Sequence, residues 1–171
     1  FGTSGWRGIL GDDFTLKNVR LVTQAIVDHL KAEGLAENGL VVGCDARFMG
    51  RDFSREAVRV IAGSGVKAFL CDRDTPTPVI AHELLRRKAS GAINFTASHN
   101  PYDYNGIKFS PAWGGPALPE TTGDIEKRAN AMMGEVCYKE MFLDEADEAG
   151  LYEIIDQRPA YFEKIKTLVD F

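Results

Sequence analysis

With 171 residues, the chain is long enough for one domain with a sizeable core. Its 44% apolar and 26% charged content is that of an ordinary globular protein, and 20 basic against 25 acidic residues leave a net charge of −5, which argues against a nucleic-acid footprint. No apolar run is long enough to span a membrane and no secretory signal is visible. Cys44, Cys71 and Cys137 are odd in number and lack metal spacing, so they read as reduced thiols in a cytoplasmic protein. The chain opens at Phe1 without a methionine, as a trimmed chain would.

Phe1 to Gly8 is glycine-rich, carries Arg7, and reads by itself as a terminal turn. Thr15 is an N-cap candidate. Val19, Val22, Ile26 and Leu30 follow at helical spacing with Lys17, Arg20, Gln24 and Asp28 on other faces, and Gly34 ends the helix. Leu40 to Cys44 is a short apolar strand, followed by Asp45 and Arg47, which read as a loop ion pair or as a brace for neighbouring loops. A helix from about Asp52 to Ala62 buries Ala57, Val58 and Ile61, and Val66 to Cys71 is the next strand. Thr77 is placed to cap a helix whose first residue is Pro78; it carries Ile80, Leu84 and Leu85 and ends in Arg86-Arg87-Lys88, a basic run suited to a helix C-terminus. His29 and His82 read as satisfied structural histidines.

Gly91 to Phe95 is a buried strand, and Asn100-Pro101 breaks its continuation. Ser98 therefore sits on a tight, exposed loop at a strand's C-terminal end, the edge where open α/β sheets bind ligands. Asn105-Gly106-Ile107-Lys108 turns the chain back, and Gly106 to Ser110 is a strand with a return loop short enough to run antiparallel. Pro119 to Met133 is a helix with Ile125, Ala129, Met132 and Met133 on one face. The stretch from Gly134 to Gly150 reads as an irregular acidic connection, Tyr152 to Asp156 as a short strand, and Arg158-Pro159 as the start of a helix burying Tyr161, Ile165 and Leu168. Alternating helices and strands predict a three-layer α/β/α fold, with a mainly parallel, mixed sheet of about four strands and helices on both faces.

Four stretches carry a resemblance: Phe1-Gly2-Thr3-Ser4-Gly5-Trp6-Arg7-Gly8, Gly43-Cys44-Asp45-Ala46-Arg47, Thr75-Pro76-Thr77-Pro78, and Thr96-Ala97-Ser98-His99-Asn100-Pro101 with Asn105-Gly106-Ile107-Lys108. In kind and order they resemble the signatures of the α-D-phosphohexomutases, from Phe1 to about Met133 and more weakly beyond. The resemblance implies that residues 1–156 are the first domain, carrying a phosphoserine loop, and that 157–171 form an exit helix toward a second domain. It implies that a phosphoryl group on Ser98 is exchanged with a hexose phosphate, interconverting the 1- and 6-phosphates through a bisphosphorylated sugar. Lys108 is then the candidate acid/base, His99 a support for the phosphate or a proton relay, and Arg7 a guanidinium beside the phosphate. Thr3, Ser4, Arg7 and Asn100 fall among the implied substrate- and phosphate-binding residues.

The implied cofactors are Mg²⁺, bound through the phosphate on Ser98, and an activator of the glucose 1,6-bisphosphate type. The family's alternating Asp/Gly metal run, its sugar-specificity loop and its distal phosphate-binding domain have no counterpart in this sequence, so the parent's remaining domains are expected partners and the isolated chain is expected to be inactive. The alternative is a non-catalytic sugar-phosphate-binding or scaffold module. A serine hydrolase is disfavoured because adjacent side chains such as Ser98 and His99 point apart in extended chain, and no acid is placed to orient the imidazole.

Overall fold

The computed structural model describes residue 2 and residues 5–134 and 137–169. Thr3 and Ser4, two of the expected phosphate-binding residues, lie outside them. In chain order the elements are β1 (Trp6–Ile9), α1 (Leu16–Ala32), β2 (Leu40–Cys44), α2 (Gly50–Gly63), β3 (Ala68–Cys71), α3 (Thr77–Arg87), β4 (Gly91–Phe95), β5 (Tyr104–Pro111), α4 (Pro119–Ala131), α5 (Leu143–Glu148), β6 (Tyr152–Ile155) and α6 (Arg158–Lys166).

All five residues of β2 and all five of β4 are buried, as expected of strands covered on both faces. The six strands lie in the order β1-β5-β4-β2-β3-β6. The run β4-β2-β3-β6 is parallel; β5 and β1 are antiparallel additions at one edge. The expectation of about four strands is thus short. The missed strand is β1, four residues with no readable alternation, whose partner β5 lies about a hundred residues away in sequence.

Helices α1, α2 and α4 cover one face over a core that includes Ile26, Phe53, Ile61, Ile93, Phe95, Ile107 and Ile125. Helix α3 covers the other face, where Val41, Ile80, Leu84 and Ala92 pack together, and α6 packs on α3. Thr15 caps α1 as expected, its side chain accepting from Asn18 N. Gln24, on a face of α1 other than that of Val19, Val22, Ile26 and Leu30, is also buried and exchanges hydrogen bonds with Ser64, because α1 is flanked by both α2 and α4.

Several expectations fail where helix ends or missing neighbours intervene. Met133 is exposed and lies beyond the end of α4. Residues 143–148 form α5 rather than irregular chain. Helix α6, which packs on α3, buries no residue fully among the described residues, and Leu168, beyond its end, is 66% exposed. His29 bonds Asp124 at 2.7 Å, but His82 is not satisfied: its Nδ1 is buried without a partner, and its ring packs edge-on to Tyr161. Cys44 and Cys71 are buried free thiols, and burial pushes the Cys71 thiol up to about 12.

Candidate active site

The loop from Thr96 to Asp103 joins β4 to β5 at the sheet's C-terminal edge. Phe95, its last strand residue, sits at the end of an aromatic row: Trp6 stacks on Phe14 at 4.7 Å, Phe14 meets Phe53 edge-on at 4.8 Å, and Phe53 lies 6.1 Å from Phe95. These rings, three of them buried and Trp6 partly so, form a stiff floor under the loop. Above it, Ser98 adopts φ +56°, a left-handed conformation uncommon for a residue with a Cβ. Two interactions hold it there. Its N–H donates to Thr96 Oγ1 at 3.0 Å, and its carbonyl accepts from Arg47 at 3.0 Å.

Arg47 is the clamp for the whole loop. Besides Ser98, its guanidinium donates to the carbonyls of Asn100 (2.7 Å), Pro101 (2.7 Å) and Tyr104 (3.0 Å). Asp45 steadies Arg47 in turn, accepting from its backbone N–H at 3.1 Å and lying 3.5 Å from its Nε. The brace reading of Asp45 and Arg47 therefore has a geometry: the arginine spends its donors on four backbone carbonyls, three in the loop and one on the first residue of β5.

Arg7, on edge strand β1, stands opposite Gly106. It donates to Asn100 Oδ1 at 2.8 Å, tying the first strand to the serine loop. Asn105-Gly106 does not form the turn expected of it; both residues lie inside β5, and the chain reverses earlier, where Tyr104 N bonds Pro101 O. Gly106 is required by crowding: a Cβ there would stand 2.5 Å from Thr96 O and 3.0 Å from Trp6 O. Asn105 locks the strand start, its Oδ1 accepting from Gly106 N and its Nδ2 donating to Phe48 O.

Lys108 lies two residues further along β5, on the face that Arg7 shares. It is half-buried. Burial pushes its ammonium below the ordinary lysine range, the Arg7 charge adds to that, and Asp45 opposes it. The result is a lysine with a larger neutral fraction than a solvated one.

Ser98 and His99 do not point apart as extended chain would require. The left-handed turn at Ser98 brings its Oγ to 3.4 Å from His99 Nδ1. No carboxylate bonds the other imidazole nitrogen among the described residues, so the pair lacks the third member of a hydrolytic triad.

Sequence reasoning assigned no role to Thr96 or Asn94. Thr96 catches the Ser98 amide. Asn94 donates to Thr77 Oγ1 at 2.7 Å, so Thr77 does not cap α3; it is the first helical residue, after Pro76. An asparagine inside a fully buried strand was the available signal.

A family model described as "Phosphoglucomutase/phosphomannomutase, alpha/beta/alpha domain I" matches residues 1–134. This chain belongs to the phosphoglucomutase/phosphomannomutase family. The part of the family that it represents is domain I. It is 33% identical to a phosphoglucomutase from Komagataeibacter xylinus, over 99% of this chain and 32% of that one. It is 31% identical to a phosphoglucosamine mutase from Clostridium tetani, over 100% of this chain and 35% of that one. Among solved structures, a putative phosphomannomutase from Thermus thermophilus superposes with a TM-score of 0.85 at 34% identity, covering 99% of this chain and 36% of that one. The chain thus spans about a third of the length of these relatives.

Proposed function

We propose that this phosphohexomutase domain carries a transferable phosphoryl group on Ser98 and works in the interconversion of hexose 1- and 6-phosphates. One observation supports the reading above the others. A serine in a strained conformation, clamped by Arg47, shares one sheet edge with a guanidinium and with a lysine of depressed pKa.

Phosphoryl transfer depends on positioning and on charge stabilisation. In the step proposed, the bond between Ser98 Oγ and phosphorus breaks as a bond forms between phosphorus and a sugar hydroxyl oxygen. The hydroxyl proton passes to the neutral amine of Lys108, and the electron pair of the broken bond stays on Ser98 Oγ. Arg7 offsets the phosphate charge, while His99 lies close enough to Ser98 Oγ to hydrogen-bond its oxygen. Return of the second phosphate to Ser98 reverses the roles, with the Lys108 ammonium as acid.

Among the described residues, no three His, Cys, Asp or Glu side chains stand close enough to share a metal ion. A Mg²⁺ ion on the Ser98 phosphate would need its carboxylates from outside them. Relatives named for glucose and for glucosamine align across nearly the whole of this chain. That supports placing sugar choice, together with the other domains proposed as partners, outside this segment.

The test is peptide mapping by mass spectrometry after incubation with a hexose 1,6-bisphosphate. One phosphoryl group on Ser98, absent from Ser98→Ala, is the expected result. Equal uptake by Ser98→Ala would overturn the assignment, and uptake by neither would favour a non-catalytic sugar-phosphate-binding module.

A further inference from the structure

On the sheet face that carries Arg7, β4 and β5 present two polar groups that each lack a complement. Asn94 and Lys108 are register partners across this antiparallel pair, which sets their Cβ atoms about 4.5–5.5 Å apart on one face. Asn94 is 4% exposed. Its Nδ2 is used on Thr77, but its Oδ1 is shut off from solvent and accepts no hydrogen bond. An orphaned buried acceptor costs about 1–3 kcal/mol, so such atoms call for an explanation. Opposite it, Lys108 carries three donors and makes no hydrogen bond or ion pair among the described residues.

The other flank of Asn94 supplies no donor. Its partner there is Gly43 on β2, and the place of a Gly43 side chain is filled by Ile80 Cδ1 from α3. From α3 itself, the residue that meets Asn94 is the uncharged Thr77. The charges felt by Lys108 are those of Arg7 from β1 and Asp45 from the end of β2.

We propose that Asn94 is a positioning residue for Lys108: its amide oxygen accepts a hydrogen bond from the lysine that is strong when Nζ is an ammonium and weak when Nζ is an amine. The inference rests on Lys108 as the proton-transfer group. A hydrogen bond stronger to the charged form than to the neutral one favours the charged form. Asn94 therefore works against burial and Arg7, so that the lysine can both take and return a proton. It also draws Nζ back toward β4 after protonation. The movement needs only rotation about the lysine side chain, since Thr77 already holds the Asn94 amide in place.

The experiment is an NMR titration of the Lys108 side chain in the folded chain, for wild type, Asn94→Leu and Asn94→Asp. Loss of the acceptor in Asn94→Leu is expected to lower the Lys108 midpoint by about half to one pH unit, and the carboxylate of Asn94→Asp to raise it above wild type. Thr77→Val frees the Asn94 amide and is expected to shift the midpoint as well, which keeps the test available if Asn94→Leu does not fold. A folded variant set with melting temperatures altered and the Lys108 midpoint fixed would overturn the proposal, since Asn94 would then be purely structural. The titration needs no turnover. An unmoved midpoint removes the Asn94 assignment alone, whereas failure of Ser98 to take phosphate removes the mutase reading and leaves the pairing intact.

Discussion

Ser98 is held where a residue with a Cβ is disfavoured by about 1–2 kcal/mol, at φ +56°. Local strain of this kind persists when surrounding contacts over-determine it, and it clusters at functional sites. Here the surroundings are the Thr96 hydroxyl on the Ser98 N–H and Arg47 on its carbonyl. Ser98→Gly should therefore stabilise the chain by about 1 kcal/mol, raising the melting temperature by roughly 2–4 °C while abolishing phosphate uptake. Calorimetry checks the first effect and phosphopeptide mapping the second. The Ser98, Lys108 and Arg7 positions were legible from their motifs. The role of Arg47 was legible only as a brace of unspecified target, because four carbonyls from Ser98 to Tyr104 become neighbours of one guanidinium only after the loop folds.

Among the elements, β5 and α3 carry the sharpest consequences. Gly106 passes between β1 and β4 with no room for a side chain, and two of the atoms a Cβ would meet, Thr96 O and Trp6 O, are backbone that cannot rotate away. Gly106→Ala is expected to cost about 1–3 kcal/mol, the usual range for overpacking, and to loosen β1 from β5. Amide exchange at Trp6 to Ile9, faster in the variant than in wild type, reads that loosening. On α3, the Glu83 side chain is fully buried. Burial alone would push its carboxyl up, but hydrogen bonds from Arg86 and Arg87 outweigh it and hold Glu83 below the ordinary range. A carboxylate depressed in the folded state stabilises the fold above its unfolded value, about pH 4.3, and loses that contribution as pH falls through its folded value. Glu83→Gln should thus cost about 1–3 kcal/mol near neutral pH. The gap from wild type should narrow below about pH 4.3, as seen in thermal melts run across pH. Strand β1 and helix α5 escaped sequence reading for different reasons. The first depends on a distant partner, and the second is a short acidic turn whose one buried residue is Ala146.

At the scale of the molecule, the serine edge presents Ser98, the Arg7 guanidinium and Lys108 but no metal cluster among the described residues. The relatives are about three times longer than this chain. We expect the isolated chain, supplied with hexose 1-phosphate, Mg²⁺ and activating bisphosphate, to show negligible mutase turnover in a coupled assay. Sustained turnover near the rate of a full-length relative would contradict that. Apolar residues also stay uncovered at the β6 end, with Ile154 61%, Phe162 58% and Leu168 66% exposed. The expectation that α6 buries Tyr161, Ile165 and Leu168 is not met: packed on α3, the helix has no fully buried residue among those described.

Periodicity and punctuation sufficed for the alternating elements from α1 to β4, because apolar spacing, caps and glycines act over a few residues. The strand order was decided elsewhere. Which strand pairs with which depends on closing loops of tens of residues against the reward of burying shared faces, and no local window records that balance. The same holds for the site. The motifs name Ser98, Arg7 and Lys108, but only the β1–β5–β4 register sets Arg7 against Gly106 and Lys108 against Asn94, and so determines which charges and which empty acceptor the lysine feels.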